Sequence, residues 1–346
     1  MRILMTGHNG YIGSIMAPYL MGKGHQVVGL DTDYFADCQI IAAAEVPSLR
    51  RDLRDVSLDD VAGFEAVIHL GALSNDPIGN LSDTWTAQIN HAASVRLAEL
   101  AREAGVRRFL FSSSCIMYGL ASAEVATEDS PLDPQTEYAR SKVRSEEAIR
   151  QLATDDFSPV YLRNGTVYGL SPRMRFDTVL NDMAAQAVTS GRIVIFSDGS
   201  PWRPTVHVHD VARAFEAVLE APTEDIHNQA FNTGADVLNR RVIELAELVR
   251  EAVPETQLEV RAEPSADQRT YRASFAKFAR TFPDFRFEYE PAAGARQVST
   301  ALREIGLTRD GFGDPRFTRL TWLNHLLSTG RLDGSLRWTD RAEEAT

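Results

Sequence analysis

Tyr138 and Lys142 stand four residues apart in Tyr138-Ala139-Arg140-Ser141-Lys142. On a helix that spacing places both side chains on one face. A phenol with its ordinary pKa of about 10 is a poor base at neutral pH. A neighbouring ammonium and an oxidised nicotinamide both favour the phenolate. The phenolate then takes the proton of a substrate hydroxyl as hydride leaves the same carbon, and returns it when the reaction runs backwards. Lys142 is also long enough to hold the nicotinamide ribose. Tyr-x-x-x-Lys arises by chance on solvated helices, so the pair carries weight only beside a site for a redox cofactor. Ser112-Ser113-Ser114 adds hydroxyls after the apolar run Phe109-Leu110-Phe111. Open parallel sheets bind ligands at the carboxyl ends of their strands. One of these serines is placed to hold the reacting oxygen against Tyr138; the competing reading makes all of them turn or cap serines. The Gly-x-Ser-x-Gly elbow of a serine hydrolase is not found in the sequence.

A cofactor site is written at the start of the chain. Gly7-His8-Asn9-Gly10-Tyr11-Ile12-Gly13 is a GxxGxxG loop between a strand-like Arg2–Thr6 and a helical run over 11–21. In that context Gly7 supplies a tight turn, Gly10 lets the backbone approach a pyrophosphate, and Gly13 allows close helix packing. The helix N-terminus offers unpaired N–H groups and partial positive charge to phosphate. The expected cradle is Gly7, Asn9, Gly10, Tyr11, Ile12 and Gly13. Asp31 ends the next strand, 26–30. Its carboxylate suits the hydroxyls of an adenosine ribose and repels a 2′-phosphate, which favours NAD over NADP. Asp52 and Leu53 are placed beside the adenine.

These residues need a scaffold, and the remaining pattern describes one. Apolar runs at 66–70, 108–112 and 160–163 read as strands, and 84–104 and 137–152 read as helices. Strands alternating with helices predict an α/β fold: a Rossmann-like parallel sheet with helices on both faces. The strands lack clean polar alternation, as expected when both faces are buried. The pattern changes after about residue 170. Ser171-Pro172-Arg173 breaks it, helices are predicted over 174–189, 208–220 and 240–252, and a short strand over 193–196. The expected organisation is an NAD-binding domain over 1–170 and a smaller C-terminal α/β substrate lobe over 171–325. Elements of about 203–235 are free to return to the first domain, and 326–346 reads as a polar tail.

With 346 residues, 44% hydrophobic and 24% charged, the chain has an ordinary globular composition. Its formal net charge of -12 disfavours nucleic acid as a partner. It leaves room for an anionic ligand at a local arginine or a helix N-terminus. The two cysteines, Cys38 and Cys115, form no CxxC pair and read as small buried apolar groups. No apolar run reaches the roughly 18 residues of a membrane span. The opening Met-Arg-Ile-Leu-Met-Thr-Gly lacks the pattern of a signal peptide, so a cytoplasmic enzyme is expected. His207 and His209 have no third partner in the pattern, and no metal site is expected.

Together, Gly7-x-x-Gly10-x-x-Gly13, Asp31, His69-Leu70-Gly71-Ala72, Asn90, Phe111-Ser112-Ser113-Ser114, Tyr118-Gly119 and Tyr138-x-x-x-Lys142 carry a family resemblance. Over roughly residues 1–300 the chain resembles the extended short-chain dehydrogenase/reductase family, in its nucleotide-sugar epimerase/dehydratase branch. The resemblance implies NAD as cofactor and Ser114, Tyr138 and Lys142 as catalytic residues, Ser114 because it stands four residues before Tyr118. It implies that His69, Leu70, Gly71 and Ala72 form the loop beside the cofactor, and that Asn90 supports the fold around the site. It implies a nucleotide-sugar substrate, with Arg203, in Arg203-Pro204-Thr205-x-His207-x-x-Asp210, and Arg269 on its diphosphate. The planar fork of an arginine suits that group. It further implies a homodimer through the helices near 84–104 and 137–152.

Two departures from the family pattern bear on the reaction. Thr166 stands where the family's substrate-contacting asparagine is usual, with Asn164 two places early. Ser114-Cys115-Ile116 lacks the Asp-Glu pair of the 4,6-dehydratases, which argues against that elimination. Ser74, in Leu73-Ser74-Asn75-Asp76-Pro77, lies in the loop that approaches the sugar, or simply forms a turn. The leading expectation is an NAD-dependent nucleotide-sugar epimerase working by transient C4 oxidation. An NAD(P)H-dependent NDP-4-ketosugar reductase is the alternative. A non-catalytic nucleotide-binding interaction module is a third reading, though it would not need Ser114, Tyr138 and Lys142.

Overall fold

The computed structural model describes residues 1–74, 82–120, 125–263 and 269–339. In chain order the first six strands are β1 (Arg2–Thr6), β2 (Gln26–Asp31), β3 (Ser48–Arg50), β4 (Ala66–His69), β5 (Arg108–Ser114) and β6 (Ser158–Asn164). Six more follow: β7 (Thr166–Tyr168), β8 (Arg192–Ile195), β9 (Trp202–His207), β10 (Ala230–Thr233), β11 (Asn239–Arg241) and β12 (Gln257–Val260). Seven of them make one sheet in the order β10-β6-β5-β4-β1-β2-β3, and every neighbouring pair in it is parallel. The chain winds outward from β1 to β3 and then resumes on the other side of β1 at β4. That reversal opens a crevice at the carboxyl ends of β1 and β4.

Strand β1 shows why this sheet is apolar on both faces. Ile3 and Met5 pack with Met16, Leu20, Val211 and Phe215, from the helices Gly13–Gly22 and Val208–Glu220. Leu4 points the other way, into a layer with Leu97, Ala98 and Ala101 of the helix Ala93–Glu103. Burying a side chain of this size stabilises by about 1.5–3 kcal/mol. Two such layers, one on each face, hold the crevice rigid from both sides.

The segment expected as one helix over 84–104 is helical throughout, but it contains a π-helical stretch, Ala87–Ala92, between Asp83–Thr86 and Ala93–Glu103. The wider turn carries Asn90. The helix Glu137–Arg150 starts at Thr136, whose hydroxyl accepts from the Ala139 N–H at 3.2 Å. It turns Ala139, Ser141, Lys142, Ser145 and Ile149 inward.

A smaller lobe sits over the crevice. Its sheets are β11-β9-β7 and β12-β8. They pack on the helices Val179–Ser190, Val242–Ala252 and Pro291–Glu304 through Leu180, Ala184, Leu245, Val249, Val298 and Leu302. The stretch 203–235 is shared. Strand β9 belongs to the small lobe, the helix Val208–Glu220 covers the main sheet, and β10 extends that sheet beside β6.

Two expectations are corrected. The helix predicted over 174–189 begins only at Val179; residues before it form a turn in which Arg175 and Asp177 pair and the Phe176 N–H donates to the Phe317 carbonyl. The described part of the supposed polar tail, 326–339, is not loose. Leu326, Leu332 and Leu336 are buried beside Tyr34, Cys38 and Trp322, and the Trp338 indole N–H donates to the Thr32 carbonyl at 2.6 Å. Its few apolar anchors are scattered among charged residues, so neither composition nor periodicity reveals them.

Candidate active site

One cleft of about 940 Å³ runs between the main sheet and the smaller lobe. Along it lie Gly7, Gly10, Tyr11, Ile12, Gly13, Asp31, Asp52, Leu53, Leu70, Gly71 and Ala72. The same cleft holds Ser74, Ser114, Tyr138, Lys142, Thr166, Arg203 and Arg269. The cleft thus gathers these expected residues, while Asn9 and His69 lie off it.

The glycine loop turns tightly against the loop after β4. Gly7 has φ +72°, and a Cβ there would lie 2.7 Å from the Gly71 nitrogen, so the loops after β1 and β4 meet this closely only because position 7 is glycine. Asp31, at the end of β2, accepts from the Asn9 N–H at 3.1 Å and the Asp33 N–H at 2.9 Å. Burial raises its pKa from the usual carboxylate range, against the pull of those two hydrogen bonds. Asn9 therefore acts from behind: its backbone orients Asp31, and its amide donates to Asp33 at 2.8 Å. The Tyr11 hydroxyl donates to the Gly169 carbonyl at 2.7 Å and accepts from Asn181 at 3.0 Å, which pins the loop to the smaller lobe. Asp52 is held by Arg54 at 2.6 Å and by Arg337 at 3.2 Å.

Tyr138, Lys142 and the serine strand converge at the other end. The Lys142 ammonium donates to the Ser112 carbonyl at 2.7 Å. It lies 4.5 Å from the centre of the Phe111 ring and 5.8 Å from that of Tyr138. Burial pulls its pKa down to about 8, while Glu146 opposes the shift. The Ser114 hydroxyl accepts from the Ile116 N–H at 3.3 Å. The Ser113 hydroxyl is buried on the cleft with no hydrogen-bond partner among the described residues. Ser114 lies opposite Asn164 in the β5–β6 register. Asn164 donates to the Ser112 hydroxyl at 3.1 Å and so braces the serine strand; it and Thr166, at the start of β7, both line the cleft.

Asn90 ties these parts together. Its carbonyl accepts from the Leu73 N–H at 2.7 Å, and its amide donates to the Leu73 carbonyl at 3.0 Å and to the Ser141 hydroxyl at 3.5 Å. The loop after β4 is thereby locked to the helix that carries Tyr138. His69 takes no place on the cleft. Its ring contacts the Thr6 hydroxyl at 2.6 Å and the Ser94 hydroxyl at 2.7 Å, and burial and Lys142 push its pKa down to about 3. His207 meets Gln297 at 2.8 Å and stacks 4.2 Å from Tyr289, a packing role. Tyr118 is a buried strut that donates to Asn232 at 2.7 Å.

At the far end Arg203, on β9, donates to the Trp202 carbonyl at 3.0 Å and to the backbone carbonyl of Arg269. The two arginines expected on a diphosphate therefore lie side by side. Of the expected sugar loop, Ser74 accepts from Arg175 at 3.0 Å, and Asn75, Asp76 and Pro77 lie outside the described residues. So do Ala266, Asp267 and Gln268 before Arg269. Sequence reasoning missed Arg175, Asp177, Asp182 and Arg319, which also line the cleft. The one visible signal was the charge density of Arg173-Met174-Arg175-Phe176-Asp177 directly after a proline break.

Comparison with known proteins agrees with this geometry. Residues 3–234 match the model of the NAD dependent epimerase/dehydratase family. The UDP-glucose 4-epimerase of Mycolicibacterium smegmatis is 32% identical over 247 residues, covering 68% of this chain and 78% of that protein. The UDP-glucose 4-epimerase of Corynebacterium glutamicum is 27% identical over 252 residues, covering 68% and 75%. Among solved structures, the UDP-glucose 4-epimerase of Thermus thermophilus in complex with NAD superimposes with a TM-score of 0.73 at 25% identity, covering 88% of this chain and 99% of that one. TunA, an NAD dependent NDP-hexosamine 5,6-dehydratase, gives a TM-score of 0.78 at 23% identity, covering 88% and 98%, a likeness of fold alone. A glycine cradle, an acid at the end of β2 and a Tyr138–Lys142 pair on one cleft, within a match spanning most of the chain, place this protein in the NAD dependent epimerase/dehydratase family of extended short-chain dehydrogenases/reductases.

Proposed function

We propose that the protein is an NAD-dependent nucleotide-sugar epimerase that inverts C4 through a transient ketone. The observation that carries this reading is the convergence of Tyr138, Lys142 and Ser114 on the glycine-loop cleft, with Arg203 and Arg269 at its far end. Arg203 and Arg269 hold the substrate diphosphate and so set the sugar's distance from Tyr138. Ser114 and Thr166 bind sugar hydroxyls. Tyr138 takes the proton of the C4 hydroxyl, and Lys142 favours the phenolate by its charge. When bound, NAD would supply the hydride acceptor at C4. Tyr138 then returns its proton to the same oxygen after the sugar has presented its other face. The reaction has no net redox change, so the cofactor can stay in place from one turnover to the next.

The similarity to UDP-glucose 4-epimerases favours a uridine diphosphate sugar. The test is incubation of the purified protein with UDP-glucose, UDP-galactose and the corresponding uronates, without added cofactor. Interconversion at C4 supports the reading. Stoichiometric consumption of NADH on a 4-keto-sugar would replace it with the reductase. Silence in both assays across a broad panel would favour the binding module. A homodimer through Asp83–Glu103 and Glu137–Arg150 belongs to the same proposal, and the mass in solution by light scattering checks it. Among the described residues no helix is long and apolar enough to cross a membrane.

A further inference from the structure

Two guanidinium groups on the cleft have no part in the roles above. Arg175 lies in the turn after Pro172, which is fastened to the glycine loop. The Ser171 hydroxyl donates to the Tyr11 carbonyl at 2.7 Å, and the Asn181 amide donates to the Tyr11 hydroxyl at 3.0 Å and to the Arg175 carbonyl at 3.2 Å. The Arg175 side chain, 12% exposed, donates to Asp177 at 2.7 Å and to Ser74 at 3.0 Å. Arg319 is the first residue of the helix Arg319–Ser328 and is 2% exposed. It lies 4.2 Å from the centre of the Phe35 ring and donates through Nη2 to the Arg173 carbonyl at 2.9 Å. Its Nη1 is buried and has no hydrogen-bond partner among the described residues.

This pair is short of negative charge. Burial and the nearby Arg175 pull the Arg319 pKa down to about 10, with Asp177 opposing the shift. An incompletely paired cation away from water is costly to hold. An anion with two acceptor oxygens would offset that cost and satisfy Nη1. The position identifies the anion. Phe35 follows closely after Asp31, the acid suited to the ribose, and the charge of Arg175 is felt by both Tyr11 and Tyr138. A dinucleotide with its adenosine ribose on Asp31 and its nicotinamide at Tyr138 carries its diphosphate through the space between them.

We propose that Arg175 and Arg319 clamp the cofactor diphosphate, and that the C-terminal segment is the strap that holds Arg319 in the clamp. The segment is tied to the loops at the adenosine end of the cleft. The Trp322 indole N–H donates to the Tyr34 carbonyl at 2.6 Å, the Tyr34 hydroxyl donates to the Leu336 carbonyl at 2.5 Å, and Arg54 donates to the same carbonyl at 3.1 Å. Such a strap retains a cofactor that is recycled in place. The inference rests on NAD occupying the glycine-loop cleft and not on which sugar is the substrate.

Calorimetric titration of the full chain with ADP-ribose, adenosine and UDP tests it. Arg175→Gln and Arg319→Gln each weaken ADP-ribose by about 10-fold or more, the worth of a charge-assisted hydrogen bond, and leave adenosine and UDP within about 2-fold. Arg319→Lys, which keeps the charge, retains part of the ADP-ribose affinity. Trp338→Ala, which leaves both arginines intact, speeds the release of NAD. Equal weakening of adenosine and ADP-ribose would overturn the clamp, because a general packing defect makes no such distinction. Weakening confined to UDP would assign the pair to the substrate diphosphate and overturn it too. ADP-ribose binding that survives both glutamine variants removes the clamp alone, whereas an unsubstituted chain that ignores ADP-ribose removes the dinucleotide reading with it.

Discussion

The ammonium of Lys142 sits 2.7 Å from the carbonyl oxygen of Ser112, which joins the helix Glu137–Arg150 to the end of β5. The contact fixes more than a lysine. It sets the rotation of the helix, and through it the distance of Tyr138 from the serine strand. Asn90 adds a second anchor by bonding Ser141 on the same helix and Leu73 in the loop opposite. The expected proton-transfer group is therefore held by backbone and buried polar contacts, so its geometry does not depend on the substrate.

Removal of the Tyr138 hydroxyl should separate chemistry from binding. Tyr138→Phe keeps the ring beside Lys142 and loses the proton carrier, so kcat falls by roughly 100-fold or more. The dissociation constant for NAD stays within about 2-fold, because the cradle and Asp31 are untouched. Steady-state kinetics on the substrate found by the epimerase assay, with NAD titration alongside, provide both readouts. Unaltered kcat would take Tyr138 out of the reaction.

The buried lysine makes a prediction for stability against pH. Its pKa is about 8 in the fold against 10.5 ordinarily, so between those values the unfolded chain binds more protons than the native one. Stability from this group therefore rises as pH rises from 8 towards 10.5, and below 8 the charged form works against the fold. Lys142→Met abolishes the titration. Over that window the unfolding free energy of the unsubstituted protein should gain on the variant's by about 3 kcal/mol. Urea unfolding at pH 7, 8, 9 and 10 measures the difference. A constant offset between the two proteins would show that burial does not lower the Lys142 pKa.

What the sequence exposed and what it concealed follows from the range of each interaction. The cradle from Gly7 to Gly13, Asp31 and the Tyr138–Lys142 pair were legible because each is a local spacing within one βαβ unit or one helix. Asn164 and Thr166 were legible as positions but not in their division of labour, since only the β5–β6 register turns Asn164 onto Ser112. Arg319 was not legible at all. It reaches the cleft through a fold-back anchored by Leu332, Leu336 and Trp338, residues with no shared period. His69 looked like part of a cofactor loop, yet it stands on β4 between two hydroxyls. Strand and loop differ there by one residue, which a family pattern does not resolve.

Asp31 should set the choice of cofactor. It stands at the end of β2 with the N–H groups of Asn9 and Asp33 already on its carboxylate, so it is oriented before any ligand arrives. Asp31→Ala should weaken NAD by about 10-fold and narrow the preference over NADP, since the variant loses both the ribose acceptor and the repulsion of a 2′-phosphate. Dissociation constants for NAD and NADP test this directly. An unchanged ratio of the two would remove Asp31 from the ribose site.

The two arginines at the far end of the cleft should act on the substrate and not on the cofactor. Arg203 donates to the backbone carbonyl of Arg269, so loss of the Arg203 guanidinium also releases the backbone that carries Arg269. Arg269→Ala and Arg203→Ala should each raise KM for the nucleotide sugar by about 10-fold or more. The double variant should cost less than the product of the two single effects, because coupled partners are not additive. Some loss of kcat is also expected, since the diphosphate anchor positions C4 before Tyr138 acts. NAD binding should not move in any of the three. A fall in NAD affinity matching the rise in KM would mean that these arginines hold the cleft together rather than grip the sugar nucleotide, and strict multiplicativity would mean that the contact between them carries no binding energy.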